Sequence, residues 1–230
     1  MSEMITVGDA IARTLEQYHV EAIYGVISIH NLPIADAVGQ REKIRFVPAR
    51  GEAGSVTMAD AHGRFSGLGV ALTSTGAGAG NAVGALVEAM NAGTPLLHLT
   101  GQVEKAWLDA DTGFIHETRD QLTFLKASSK RAYRISNANQ AVAILHKAIQ
   151  EAQTPPCGPV SVEIPIDIQS AKIPLSLLTA PLKRAPAVEP EASLVDALWA
   201  QLKQAKQPLL WLGGAGKAGA AGGGVRVQGE

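Results

Sequence analysis

The chain has 230 residues, of which 46% are hydrophobic and 18% are charged, and its formal net charge is -1. This balance is typical of a soluble globular protein, and it argues against nucleic acid or a membrane surface as the main partner. No apolar run approaches the ~18 residues that would span a bilayer, no secretory signal is visible, and the single Cys157 cannot form an internal disulfide. We therefore expect a cytoplasmic location.

Helices and short apolar strands alternate along the first part of the chain. The predicted helices are "TVGDAIARTLEQYHV", a short one from Asn31, "AGSVTMADAHGRF", "NAVGALVEAMNAG" and "NANQAVAILHKAIQEAQ". The predicted strands are "AIYGV", "IRFVPA", "GVALTS", "PLLHLTG" and "PVSVEIP". Because the strands are apolar throughout and are separated by helices, the sequence predicts an α/β fold, a parallel sheet with helices on both faces.

The predicted organisation has three parts. Residues 1–171 form the first domain, and the proline-rich residues 172–191 form a linker. Residues 192–230 repeat the order of helix, strand and glycine loop. We expect them to form only the incomplete start of a second α/β domain, because about forty residues cannot complete such a core.

Three loops follow the carboxyl ends of predicted strands, which is where open parallel sheets bind ligands. They cover residues 26–31, 48–52 and 74–81, and Glu52 is their only acid. The alternative is that Glu52 merely caps the next helix, because a helix dipole favours an acid at its N-terminus. The loop "STGAGAGN" could bind a phosphate, so a nucleotide binder stays open, although the loop lacks the Walker ending and a tight turn explains it equally well.

The order of these segments resembles the N-terminal, pyrimidine-binding domain of thiamine-diphosphate enzymes of the acetolactate synthase and 2-oxo-acid decarboxylase type. The family pattern runs Arg-His-Glu, Ala-Asp-Gly-Tyr-Ala-Arg, Ser-Gly-Pro-Gly-x-x-Asn, and then a strand ending in Thr-Gly-Gln. The corresponding text here is "RGE", "MADAHGRFSGLGV", "STGAGAGN" and "TPLLHLTGQ". No gap is needed between Arg50 and Gln102, and the similarity covers about residues 5 to 170.

The resemblance implies a role for each matching residue. Glu52 would hydrogen-bond N1′ of the aminopyrimidine of thiamine diphosphate, and this would promote deprotonation of thiazolium C2 and attack on a 2-oxo acid. Gly76, Gly78 and Asn81 would lie beside the pyrimidine. In the family, Mg²⁺ and the diphosphate bind a Gly-Asp-Gly…Asn motif on a C-terminal domain, and nothing in this sequence matches it. We therefore assign no metal ligand to this chain.

The resemblance also implies a homo-oligomer, a dimer or tetramer, because the cofactor lies between two subunits. FAD binding, known in part of the acetolactate synthase branch, stays open. The predicted function is the cofactor-binding part of a lyase or transferase that acts on a 2-oxo acid. The alternative is a non-catalytic module that dimerises through its small-residue helices and binds cofactor only with a partner that supplies the diphosphate domain.

Two histidines stand where the sequence departs from the family pattern. The Gly-x-Pro-Gly loop reads Gly-Val-Ile-Ser here and is followed by Ile29 and His30. His30 is a candidate substrate contact, with an exposed loop histidine as the alternative. His116 replaces the Gln of a Phe-Gln-Glu sequence. Because an imidazole donates, accepts and titrates near neutrality, His116 is a candidate for substrate contact or proton transfer, and a solvated loop histidine is the equal alternative.

Overall fold

A computed structural model describes residues 3–183, 188–209, 211 and 213. The backbone divides into two compact units, Met1–Arg184 and Ala185–Glu230. The strands of the first unit are β1 (Met4–Thr6), β2 (Ala22–Gly25), β3 (Arg45–Pro48), β4 (Gly69–Thr73), β5 (Leu96–Gln102), β6 (Arg131–Arg134), β7 (Pro159–Pro165) and β8 (Lys172–Pro174). Its helices are α1 (Val7–Gln17), α2 (Leu32–Arg41), α3 (Glu52–Ser66), α4 (Ala77–Asn91), α5 (Gln121–Ser128), α6 (Ala141–Gln153) and α7 (Ile166–Ser170).

Six strands of the described residues form one sheet in the order β3-β2-β4-β5-β7-β6, and every neighbouring pair is parallel. The longest pairing joins β5 and β7, from Leu96 opposite Pro159 to Gln102 opposite Pro165. β1 and β8 form a separate antiparallel pair. The prediction of a parallel sheet is confirmed.

Helices cover both faces of this sheet. Val70 and Leu72 of β4 belong to an apolar cluster with α1, α2 and α6, whereas Ala71 belongs to a second cluster with α3, α4 and α5. Because successive residues of a strand point to opposite faces, the two clusters lie on opposite sides of the sheet. The predicted α/β architecture is therefore confirmed as well.

The structure adds elements that the sequence pattern did not predict. α5, β6 and the β1–β8 pair are absent from the predicted series, and helix α4 begins at Ala77 rather than near Asn81. β6 escaped prediction because it is an edge strand whose residues, from Arg131 to Arg134, are only partly buried and largely polar. A strand that is half exposed does not show the continuous apolar run expected of a central parallel strand.

The second unit is described only in part. α8 (Ala192–Gln204) occupies the predicted helix, and the strand and glycine loop predicted after it lie mainly outside the described residues. The division between the two units falls inside the predicted linker 172–191, whose first residues form β8. The three-part organisation itself stays a prediction. No helix in the described part of the chain combines the length and apolar character that a bilayer-spanning segment needs.

His98 is a fully buried polar residue at the centre of the sheet. Its Nε2 lies 2.8 Å from the Thr73 hydroxyl and its Nδ1 lies 2.9 Å from the Ser161 hydroxyl. Burial lowers the pKa of His98 to about 3, because the charged imidazolium cannot be solvated there. The folded protein therefore keeps this ring neutral at pH values where the unfolded chain would protonate it.

We expect His98 to make folding stability depend on pH. The pKa of His98 is lower in the folded state than in the unfolded chain. Its contribution to the free energy of unfolding is therefore complete above the unfolded pKa and is lost as the pH falls. The loss is about 2 kcal/mol between pH 7 and pH 5. Urea denaturation of the wild type and of His98→Gln at both pH values measures this. The variant should lose less stability than the wild type over that range, and an equal loss in both proteins would contradict the assignment.

Candidate functional site

The three predicted loops meet at the carboxyl ends of the strands. β2, β3 and β4 are adjacent and parallel, so the segments that follow them leave the sheet on the same side. The segment after β3 leads through Gly51 into α3, whose first residue is Glu52. The segment after β4 ends at Gly76, which precedes α4. The N-termini of α3 and α4 therefore both face the site, and both helix dipoles favour negative charge there.

The Glu52 carboxylate lies against the first turns of α4. Its side chain is buried, with 9% of the residue surface exposed, and its Oε2 accepts a hydrogen bond of 3.4 Å from Asn81 Nδ2. A Cβ placed on Gly78 would lie 2.7 Å from Glu52 Oε1 and 2.6 Å from the Ser74 Cβ. Only glycine at this position leaves the carboxylate where it is. The structure thus brings the candidate residues Glu52, Gly78 and Asn81 together.

Gly76 forms the turn that starts α4. Its φ is +57°, in the left-handed region that favours glycine, and a Cβ there would overlap the carbonyl oxygen of His116. Its amide donates a 2.6 Å hydrogen bond to Gln121 Oε1, which is fully buried. Gly76 thus forms a glycine turn, which is held by the hydrogen bond to Gln121 and by contact with the backbone of the loop that carries His116.

The two candidate histidines are neighbours. The rings of His30 and His116 lie 5.9 Å apart between centroids and are perpendicular. His30 is only 2% exposed, so the alternative of an exposed loop histidine is wrong for this residue. The reason is its backbone, because the His30 carbonyl packs against Gly101 and accepts a 2.6 Å hydrogen bond from Gln169 Nε2. This contact holds the loop over the end of β5.

His30 has an unusual electrostatic environment. Burial, and secondarily the charge of His116, lower its pKa below the usual range, while Glu104 opposes that shift. Its Nδ1 is buried without a hydrogen-bond partner among the described residues. A buried ring nitrogen of this kind is costly unless water or another polar group completes its hydrogen bonding.

The loop that carries His116 is held in shape by Glu117. The Glu117 carboxylate accepts backbone hydrogen bonds from Asp111, Thr112 and Phe114 at 2.8 to 3.1 Å. Hydrogen bonds to the charged form, the Phe114 amide contributing most, lower the pKa of this carboxyl. His116 itself has a φ of +60°, which is uncommon for a residue with a Cβ. The imidazole is therefore presented by a tightly wound, internally bonded loop.

Sequence reasoning missed the buried polar residues beneath the glycine turn. Gln121 and Glu163 are fully buried, and Gln102 is 2% exposed. A signal was present, since Glu163 lies within β7 and Gln102 ends β5, two strands that are buried along their whole length, where a charged or amide side chain requires a specific partner. The partners themselves come from distant parts of the chain, and only the fold shows which they are.

The residues at this edge fit the aminopyrimidine ring of thiamine diphosphate. A partly enclosed carboxylate, an amide hydrogen-bonded to it and a glycine that lets the carboxylate pack against α4 suit a flat ring with nitrogen donors and acceptors. They do not suit a metal ion, and the described residues contain no group of three His, Cys, Asp or Glu side chains that could hold one.

Comparison with known proteins agrees with this geometry. The family model for "Thiamine pyrophosphate enzyme, N-terminal TPP binding domain" matches residues 5–124, more than half of the chain. The chain belongs to this family. The solved structure of a thiamine diphosphate-dependent 4-hydroxybenzoylformate decarboxylase from Rhodococcus jostii RHA1 superposes on this thiamine pyrophosphate enzyme domain with a TM-score of 0.80. It is 24% identical, with 92% of this chain and 40% of that chain covered, so it supports the fold.

Curated relatives of this thiamine pyrophosphate enzyme chain include acetolactate synthases. The large subunit from Corynebacterium glutamicum is 29% identical over 216 residues, which is 92% of this chain and 34% of the relative. The large subunit of isozyme 1 from Escherichia coli K12 is 30% identical over 211 residues, which is 91% of this chain and 37% of the relative. The chain thus spans about a third of the length of the relatives it matches.

We expect Gly78 and Gly80 to respond differently to the same substitution. In Gly78→Ala the new methyl group displaces Glu52 and Ser74, which should destabilise the fold by about 1–3 kcal/mol through overpacking. A Cβ at Gly80 meets nothing within 4 Å, so Gly80→Ala should leave stability equal or higher by up to about 1 kcal/mol. Thermal and urea denaturation of the two variants measures this difference. Equal stabilities would contradict the close contact between Gly78 and Glu52.

Proposed function

We propose that this chain is the thiamine-diphosphate-binding N-terminal part of a lyase or transferase that acts on a 2-oxo acid, in which Glu52 activates the aminopyrimidine. The observation that carries the proposal is the Glu52 carboxylate, buried at the carboxyl edge of the sheet between Gly78 and Asn81. Membership of the family supports the cofactor. The acetolactate synthases among the relatives support the class of substrate.

Bound thiamine diphosphate supplies an electron sink for the bond-breaking step at a 2-oxo acid. The task of this chain is to orient the pyrimidine and to hold a proton at N1′. Asn81 donates to Oε2 of Glu52 and fixes the carboxylate, so Oε1, which lies against Gly78, is free to share a proton with the ring nitrogen. Partial exclusion of water keeps that proton between the two groups.

His30 and His116 are proposed to contact the substrate. The two rings are neighbours at the carboxyl ends of the strands. The backbone of His116 packs against Gly76, close to the residues around Glu52. The unpartnered Nδ1 of His30 offers one hydrogen bond to an oxygen or nitrogen of the bound acid. Burial lowers the pKa of His30 and so favours its neutral ring, which can donate or accept a hydrogen bond.

The remaining parts of the proposal concern partners and location. Mg²⁺ and the diphosphate would be bound by a domain other than the one described here, and a second copy of the chain would complete the site. Small residues on α4 support such pairing, because Gly80 and Gly84 have open space beside them and Val87 and Met90 are partly exposed. A reducing cytoplasm suits Cys157, which forms no disulfide.

Replacing Glu52 by Gln should abolish most of the reaction in the complete protein that carries this chain. The amide cannot share a proton with N1′ in the same way, so turnover of the 2-oxo acid should fall by at least about 100-fold. Steady-state kinetics at saturating thiamine diphosphate and Mg²⁺ measures this. Isothermal titration calorimetry gives an independent readout, since loss of the charge-assisted contact should also weaken cofactor binding by about tenfold.

The matched control for this experiment is Glu21→Gln. Glu21 is an exposed glutamate immediately before β2, at the opposite end of the strands, and the same change of charge should leave turnover within about twofold. Near-normal turnover in Glu52→Gln would refute the assigned role. Loss of cofactor binding in both variants would instead indicate a general effect of charge.

We expect His116→Asn to weaken substrate binding selectively. Asparagine tolerates the left-handed backbone of this residue, so the loop should be retained while the imidazole contact is lost. The KM for the 2-oxo acid should rise about tenfold, as for the loss of one hydrogen bond to a charged ligand. His19→Asn is the matched control, because His19 also has a positive φ, +56°, but lies at the end of α1 away from the site. An unchanged KM in His116→Asn would contradict substrate contact.

A further inference from the structure

A buried carboxylate lies directly beneath the glycine turn. Glu163 of β7 has no exposed surface, and its Oε2 accepts hydrogen bonds from Gln121 Nε2 at 3.0 Å and from Gln102 Nε2 at 3.4 Å. Its Oε1 accepts a hydrogen bond from Arg134 Nε. Every polar contact of this side chain is thus made to a donor, which is the environment of an ionised carboxylate.

The carboxylate helps to fix which way the two glutamine amides point, together with the Gly101 carbonyl, which accepts from Gln121 Nε2 at 3.0 Å, and the Val103 amide, which donates to Gln102 Oε1 at 2.8 Å. A carboxylate only accepts, so Gln121 and Gln102 must both turn their NH₂ groups toward it and their oxygens away from it. The oxygen of Gln121 then accepts from the Gly76 amide at 2.6 Å and from the Thr75 hydroxyl at 2.9 Å. The oxygen of Gln102 lies 3.1 Å from the same hydroxyl. Both acceptors therefore converge on the turn that starts α4.

Arg134 extends this arrangement to the second loop of the site. Its Nη1 lies 3.0 Å from the carboxylate of Asp109, in the loop that leads to His116. Burial raises the pKa of the Glu163 carboxyl, and the Arg134 guanidinium opposes that shift. Arg134 thus makes two ion pairs, of which one stabilises the charge of Glu163 and the other ties the loop of His116 to the sheet.

We propose that Glu163 is a positioning residue, whose carboxylate orients Gln121 and Gln102 so that they hold Thr75 and Gly76 in the conformation that places α4 against Glu52. Glu163 acts through these amides and touches neither cofactor nor substrate. The effect of Glu163 on catalysis rests on the proposed function, whereas its effect on the glycine turn does not.

Glu163→Gln tests the orientation of the amides at nearly constant volume. Arg134 requires an acceptor, so the oxygen of the new amide faces the guanidinium and its NH₂ group faces Gln121 and Gln102. The NH₂ groups of Gln121 and Gln102 then face another donor. We expect Gln121 to relieve this contact by turning its oxygen toward residue 163, which breaks its hydrogen bond to the Gly101 carbonyl and brings its NH₂ group to the Gly76 amide. A donor then faces a donor, and the hydrogen bond that fixes the turn is lost.

The primary measurement is hydrogen–deuterium exchange by mass spectrometry on the complete protein without cofactor or substrate. In Glu163→Gln, exchange in peptides that cover residues 74–80 should be about tenfold faster, while peptides from α1 and α6 keep wild-type exchange. Gln121→Met, which leaves Glu163 in place but removes the acceptor for Gly76, should give the same local change. Glu151→Gln is the matched control, because the Glu151 carboxylate accepts from Tyr133 away from the turn and its loss should not alter exchange at residues 74–80.

The second measurement is kinetic and uses saturating cofactor. Glu163→Gln should lower kcat about tenfold or more with little change in the KM for the 2-oxo acid, and Glu163→Asp should recover part of the loss. Unchanged exchange at residues 74–80, or equally faster exchange throughout the domain, would overturn the positioning role. If local exchange changes as expected but neither variant nor wild type turns over a 2-oxo acid, the positioning role stands and the proposed function fails.

Discussion

The hydrogen bond from the Gly76 amide to the side chain of Gln121 is the contact on which the arrangement of the site depends. It lies where the chain leaves β4 and enters α4, so it sets the direction in which α4 leaves the sheet. α4 in turn brings Gly78 and Asn81 to Glu52. Because the bond is buried, water cannot replace either partner when it breaks, and its loss costs more than that of an exposed hydrogen bond.

The two faces of the sheet serve different purposes. The face covered by α1, α2 and α6 carries a large apolar cluster, which is the main source of stability. The face covered by α3, α4 and α5 has a smaller cluster and also buries polar side chains, among them His98, Gln102 and Glu163. Such groups are tolerated only when they are hydrogen-bonded. The partners of His98 lie within strands β4 and β7, whereas Gln102 and Glu163 are linked through Gln121 to the turn that starts α4.

Much of the fold and part of the site could be predicted from sequence. Apolar strands between helices indicated the parallel sheet, and the resemblance of "RGE" and "STGAGAGN" to the family pattern implied that Glu52, Gly76, Gly78 and Asn81 lie near one another. β6 escaped because it is short and largely polar, and α5 escaped because it has only eight residues. The burial of His30 also escaped, because it depends on Gln169, which follows 139 positions later in the chain.

Periodicity and turn residues are local properties, so they predicted the central strands and most of the helices of the first unit, and they placed Glu52 directly after a strand. The tertiary structure alone decided how that acid is held. The partners of Gly76 and Glu163 are Gln121 and Arg134, which are distant in the chain and carry no local pattern. The pairing in a buried hydrogen bond depends on the tertiary fold, because donor and acceptor meet only when packing excludes water from both.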